Sequence, residues 1–242
     1  MLRPLLAAAA LLPLSPLSAA TLDIDLLSVS QQRNNVQIPN SALGTRFSLV
    51  DALGKAEQAG VRATLVTPGF GHGQQWRLVA APFSIEDTGT LSAPVDFNGA
   101  RFGAGPVRAT YAFNSYRVTY RWLLSESANW AWHWGVTAKI RDAEIGLAQG
   151  AVSSTKTNTG FVPLLHLAGE GAWGKWRLSL DGDALASGQG RAIDLGARAG
   201  YAISPTLEVF GGVRVIEGGA DNDTLYNFAL LRQFSLGLRA RF

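Results

Sequence analysis

The 242-residue chain contains no cysteine. That excludes disulfides, thiolate chemistry and a lipid anchor on an amino-terminal Cys. Lysine is scarce, with only Lys55, Lys139, Lys156 and Lys175. Soluble β-proteins use Lys to blunt exposed sheet edges, so its scarcity points to a sheet without them. An excess of one charge sign is also missing. There are 21 basic and 18 acidic residues, a net charge of +3, and no nucleic-acid partner is expected. Beyond the amino terminus no apolar run reaches the ~18 residues of a membrane helix.

What is present begins with a leader. Arg3 gives Met1–Ala20 a positive end, and Leu5 to Leu14 is apolar except for Pro13. Ser18 and Ala20 are small residues placed for cleavage before Thr21. This pattern predicts a secretory signal peptide over 1–20 and one domain over 21–242. An exported chain with 47% hydrophobic residues, mean hydropathy +0.11 and no spanning helix is either periplasmic or a membrane β-barrel.

The last stretch alternates. Phe234, Leu236, Leu238, Ala240 and Phe242 share one face, and Ser235, Gly237, Arg239 and Arg241 the other. A period of two is the strand period. The same alternation recurs in Thr21 to Gln32, Val107 to Leu124, Trp130 to Leu147, Lys175 to Leu185, Ala192 to Ile203 and Thr206 to Ile216. It slips near Asp142, which suggests a bulge. Val61 to Pro68, Gln74 to Phe83 and Phe161 to Trp173 complete about ten strands. Arg46 to Leu53 and Val95 to Phe102 could each add one. The connections alternate: short at 69–73, 125–129, 173–175 and 204–206, longer at 33–58, 84–106, 149–160, 187–191 and 217–227. Short periplasmic turns and longer outer loops mark outer-membrane barrels.

Alternation alone fits a soluble barrel equally well. The aromatic residues decide between the two. Trp76, Trp122, Trp130, Trp132, Trp173 and Trp176 lie near strand ends beside the short turns, and Tyr201 and Phe242 end strands on that side. Amphipathic rings collect in this way at a lipid–water boundary. The expected fold is all-β, an antiparallel up-and-down transmembrane β-barrel of about ten strands, within a range of 8–12. A periplasmic lipocalin-like barrel is the alternative.

Five segments carry a family resemblance: FNSYRVTYR at 113–121, TAKIRDAEI at 137–145, GFVPLL at 160–165, DGDALA at 181–186 and EGGADNDTLYNFA at 217–229. They resemble a set of small outer-membrane β-barrel proteins of Gram-negative bacteria. The resemblance covers most of 107–242 and implies location and fold, but no chemistry. It implies outer-membrane lipid and lipopolysaccharide as surroundings. The terminal Phe likewise resembles the signal read by the barrel-assembly machinery. A monomer is expected.

On the faces opposite the apolar ones lie Arg117, Arg121, His133, Lys139, Arg141, Arg177, Asp181, Asp183, Asp194, Arg198, Glu208 and Arg214. In a barrel of this size they meet across a narrow lumen. Unpaired charges away from water are costly, so they are expected to pair into a plug. A narrow polar pore or binding pocket is the functional counterpart. Asp181 and Asp183, with His166 or His133 as base, could instead serve a hydrolase acting on lipid A or peptide. Ten-stranded outer-membrane proteases use such pairs. However, the chain has no Asp-His dipeptide, and 222 residues leave little for their tall extracellular sheet. No His-x-Ser of a lipid A deacylase occurs. His72 in GFGHG reads as a turn residue, since no Lys-Ser/Thr follows to make a phosphate loop. Gly218 to Asp223 offers oxygens to a divalent ion but lacks the calcium-hand spacing, and reads as a turn. Arg191 and Arg232, if at the outer rim, could meet lipid phosphates. No cofactor or metal is expected.

Overall fold

The computed structural model describes residues 20–53 and 57–242. Apart from Ala20, the proposed leader lies outside them. In chain order the elements are β1 (Thr21–Gln37), β2 (Phe47–Ser48), α1 (Leu49–Leu53), β3 (Gln58–Pro68), β4 (Gln74–Ala81) and β5 (Ser84–Leu91). Then follow β6 (Val95–Phe97), β7 (Ala100–Phe102), β8 (Gly105–Glu126), β9 (Trp130–Gln149) and β10 (Val152–Trp173). β11 (Trp176–Ser187), β12 (Gly190–Ala202), β13 (Leu207–Asn222) and β14 (Leu225–Arg241) complete the chain.

Ten strands form the wall, in the order β1, β3, β4, β8, β9, β10, β11, β12, β13, β14, and β14 pairs back to β1. Up to the level of Leu165 closure leaves no sheet edge, which is what hydrocarbon demands of a spanning sheet. Neither extra candidate adds a wall strand. Residues 46–53 become the two-residue β2 and the helix α1, and 95–102 becomes the β6–β7 hairpin.

The apolar faces point outward over the lower half. Leu26, Leu236, Leu165 and Phe161 are 62–68% exposed, while Arg117, Thr119, Arg121 and His133 on the opposite faces are buried. Above a ring through Tyr116, Ile140 and Phe161, which are register partners, the chemistry inverts. On β8 the inward residues change from Ser115, Arg117 and Thr119 to Val107, Ala109 and Tyr111. On β9 they change from Thr137 and Lys139 to Ile145 and Leu147, while Asp142 and Glu144 turn outward. The ladders run unbroken through Asp142, so the slip there is no bulge. It marks the change of outer solvent from lipid to water. The register shifts lie elsewhere, between Gln31 and Arg33 and between Leu123 and Ser125.

From Trp173 to Phe161 is about 40 Å of strand, or ~28 Å of height at the usual tilt, which matches an apolar band. β8 and β10 are 22 residues long. At ~3.3 Å per residue and the same tilt they stand roughly twice as tall as the band. Much of three of the outer connections is therefore wall. Residues 152–160 belong to β10, 217–222 to β13 and 84–91 to β5, which extends the line of β4 along β8. The supposed shortage of residues for a tall sheet is thus wrong. Inside this upper half, Leu49 and Leu53 of α1 and Phe97 and Phe102 of the hairpin pack with Val29, Ile85, Val107 and Leu147. Here the interior is apolar, because above the membrane a barrel buries its apolar face as any soluble protein does.

Candidate functional site

A lattice of ion pairs crosses the lumen at mid-height. Period-two spacing aims Arg62 on β3, Arg77 on β4 and Arg117 on β8 inward from one wall. Asp181 and Asp183 on β11, Asp194 on β12 and Arg214 on β13 face them. Arg117 Nη1 donates to Asp183 Oδ2 at 2.6 Å, and its Nη2 to Asp194. Arg77 Nη2 lies 3.1 Å from Asp181 Oδ2, and Arg214 Nη2 lies 2.7 Å from Asp181 Oδ1. Arg214 also bonds Asp194, and Arg62 stands 3.8 Å from it. Asp183 further accepts from Thr137 Oγ1 at 2.9 Å and meets His166 Nδ1 at 2.8 Å. Each carboxylate has several donors, the condition under which buried charge is tolerated.

A second set lies toward the lower end, beside the short turns. Arg239 grips Asp23 with two bonds of 2.7 and 2.8 Å across the closing seam of β14 and β1. Arg198 Nη1 adds a contact of 2.9 Å to Asp23 and lies 3.9 Å from Asp25. Arg121 meets Glu170 at 3.0 Å, and Arg241 pairs with Glu208.

Arg117, Asp181, Asp183, Asp194 and Arg214 thus meet in one lattice, and Arg121, Arg198 and Glu208 in the set below it. Arg177 does not join. Its Nη1 folds back on the turn carbonyls of Gly174 and Trp176, since its strand end places it at the rim. Arg141 bonds Asn158 rather than a carboxylate, and Lys139 makes no ion pair among the described residues. Arg62, Arg77, Glu170, Asp23, Asp25, Arg239 and Arg241 are lumen charges that the sequence reading left out. Their signal was parity: Asp23 and Asp25 alternate with Leu22, Ile24 and Leu26.

The aromatic residues form chains of ring contacts on the outer surface. Trp76 and Tyr120 are 4.5 Å apart, Tyr120 and Trp122 4.9 Å, and Trp122 and Trp134 5.0 Å. Trp130 touches both Trp132 and Trp173, and Trp176 lies 5.2 Å from Tyr201. Trp134, left out of the sequence set, belongs to this belt. Phe242 is 70% exposed at the end of β14.

Above the lattice lies a cavity of about 350 Å³. Asp183 and Asp194 lie in its floor, Lys139 and Arg141 in its side, and Tyr111, Phe113, Leu164, Ile216 and Leu231 in its apolar wall. On the outer surface near its rim, Glu217 takes hydrogen bonds of 2.7 and 2.8 Å from Arg191 and one of 2.8 Å from Arg33. Arg191 above all, and then Arg33, holds the Glu217 carboxyl below its ordinary value. Residues 218–222 are strand. Asn222 Oδ1 accepts from the Thr224 and Leu225 amides and Asp221 from Asn40, which is turn-capping geometry.

No protein-family model matches the chain, and no curated protein does. Among solved structures, the outer-membrane protease OmpT from Escherichia coli is similar over 94% of this chain and 98% of its own. The TM-score is 0.55 at 11% identity. Neisserial surface protein A aligns over 92% of this chain and 97% of its own, with TM-score 0.39 and 12% identity. Ail of Yersinia pestis aligns over 93% and 99%, with TM-score 0.39 and 9% identity. At such identities the likeness to OmpT concerns the fold alone, and it agrees with the closed sheet, the outward apolar band and the charge-filled interior: the chain has the fold of an outer-membrane β-barrel protein.

Proposed function

We propose that the chain is a non-conducting binding barrel of the outer membrane, sealed at mid-height and open to a ligand above. One observation carries this reading. Arg117, whose side chain is 0% exposed, bridges Asp183 and Asp194 on the far wall. A hydrated ion would have to break that buried lattice to pass. Export by the leader, assembly through β14, a monomeric state and lipopolysaccharide as surrounding lipid belong to the same proposal. The purified barrel inserted in planar bilayers under concentrated KCl is expected to give no single-channel steps. Stable, voltage-independent openings would sink the reading.

The second reading is a hydrolase, favoured by the His166–Asp183 contact. Asp183, however, is already engaged by Arg117, Arg77 and Thr137, and His166 is only 3% exposed. A base so enclosed has no route to substrate water. Asp183→Asn is therefore expected to impair folding and to leave lipid A mass and peptide cleavage at the level of membranes lacking the protein. Cleavage by the native protein that the variant abolishes, with folding intact, would restore the hydrolase.

A further inference from the structure

The wall is split above Leu165. β10 and β11 pair from Trp173↔Trp176 up to Leu165↔Ala184 and no further. β10 continues to Val152 with β9 as its one strand partner, while β11 stops at Ser187 and returns as β12 at Gly190. Pro163, which has no N–H to give, sits just beyond the last paired position, as proline does on a free edge. The notch begins below the Phe161 ring, inside the outer part of the apolar band. Val162 and Leu164 on one side of it and Leu185 and Ser187 on the other also line the cavity. Leu185 occupies an inward position by parity yet is 37% exposed, so the interior opens sideways there.

Two cations with no carboxylate partner among the described residues stand behind the notch. Lys139 is 3% exposed, and only the Phe113 ring, 4.8 Å away, faces its Nζ as a cation–π partner. Its register partner on β10 is Val162, so it lies at the level of the opening. Arg141, one step higher on that face, bonds the neutral Asn158. The floor does not neutralise them, for Arg62, Arg77, Arg117 and Arg214 outnumber Asp181, Asp183 and Asp194 by four to three. A buried cation without a counter-charge is costly, and an incoming anion relieves that cost through charge-assisted hydrogen bonds.

We propose that the cavity binds the anionic head of a single-chain amphiphile, a carboxylate or phosphate on an acyl chain, which enters from the outer leaflet through the notch between β10 and β11. The proposal rests on the sealed-barrel reading above. The apolar wall would desolvate a bare inorganic anion without return, whereas an acyl chain can lie along it. Phe161, 68% exposed beside the notch, offers the trailing chain a lipid-facing contact. About 350 Å³ is at the small end of ligand sites, enough for a head and part of one chain.

The barrel in nanodiscs would be titrated with laurate, with lysophosphatidate and, as a head-only probe, with inorganic phosphate. Saturable binding of laurate, lysophosphatidate or both supports the proposal and tells carboxylate from phosphate. Lys139→Met is expected to weaken that binding by about tenfold or more, the worth of a charge-assisted bond. Lys139→Arg should keep it, as should the control Lys156→Met. Failure of both amphiphiles to bind, equal binding of phosphate alone, or indifference to Lys139→Met overturns the proposal. If Lys139→Met does not fold, a diazirine-bearing fatty acid on the native protein decides. Adducts at Val162, Leu164 or Leu185 support it, and adducts confined to the lipid-facing Phe161, Leu236 and Leu238 overturn it. A conducting barrel would refute the sealed reading, while a silent barrel that binds no amphiphile refutes only this one.

Discussion

Replacing Arg117 by Met would leave two buried carboxylates short of their shared donor. Arg117 Nη1 lies 2.6 Å from Asp183, Nη2 bonds Asp194 and Nε donates to Ser115 Oγ at 3.0 Å. Met keeps most of the side-chain length, so little of the loss comes from a cavity. Breaking one side of a fully buried pair costs ~3–5 kcal/mol, roughly a thousandfold in the folding equilibrium. Asp194 retains Arg214 and Asp183 retains Arg77 and His166, which places the expected loss toward the lower end. Adding Asp194→Asn removes one stranded charge and should recover ~1–3 kcal/mol as coupling energy. Equilibrium guanidinium unfolding in lipid vesicles, followed by the fluorescence of the 7 tryptophans, reads both variants. A loss for Arg117→Met below ~1 kcal/mol, the value of an exposed pair, would mean that lumen water solvates these charges, and the seal would be refuted.

The other predictions concern packing and titration. Gly135 lies on the inward face of β9, and a Cβ there would come 2.4 Å from Tyr120 O and 2.9 Å from Arg121 Cα, both backbone atoms. Gly135→Ala should therefore destabilise by ~1–3 kcal/mol in the same unfolding assay, and an unchanged midpoint would show that β8 and β9 are spaced more widely. Glu217, outside the apolar band, has its folded pKa lowered below 4.5 by Arg191 and Arg33. A depressed carboxyl contributes stability that is present above its unfolded pKa and lost as pH falls through its folded one. The Arg33–Glu217–Arg191 contact should thus persist at pH 4.5 and fail only in stronger acid. Carboxyl carbon NMR of Glu217 checks this, and a midpoint at or above 4.5 would contradict it.

Where a strand has two chemically distinct faces, the sequence made it legible. Tyr116, Val118, Tyr120 and Trp122 set against Arg117, Thr119 and Arg121 give strand, register and inside from outside at once. The upper segments were harder. Ser153, Thr155, Thr157 and Thr159 line one face of β10 and Ser154, Lys156 and Asn158 the other, so both faces are polar and the strand reads as a loop. Near Asp142 the period of two never fails. What changes is the medium outside, and periodicity cannot separate that from a bulge. Arg62 and Arg77 are single cations in short strands, each visible only by counting parity from Val61 and Leu78. The split between β10 and β11 had one mark in the sequence, Pro163 within GFVPLL, a residue that a fully paired strand would exclude. Arg177 misled because parity places it correctly but says nothing of depth. At the rim a guanidinium finds carbonyls before it finds carboxylates.

Because the chain has no native cysteine, nitroxide labels at single introduced cysteines can map the outer face of β9 directly. Collision rates with oxygen, which concentrates in lipid, and with a water-soluble nickel complex would be measured at positions 136, 138, 140, 142 and 144. Val136, Ala138 and Ile140 should favour oxygen, and Asp142 and Glu144 should favour nickel, with the crossover at the Tyr116–Ile140–Phe161 ring. Nickel access at Val136, or oxygen preference continuing through Glu144, would contradict the placement of lipid around the charged interior.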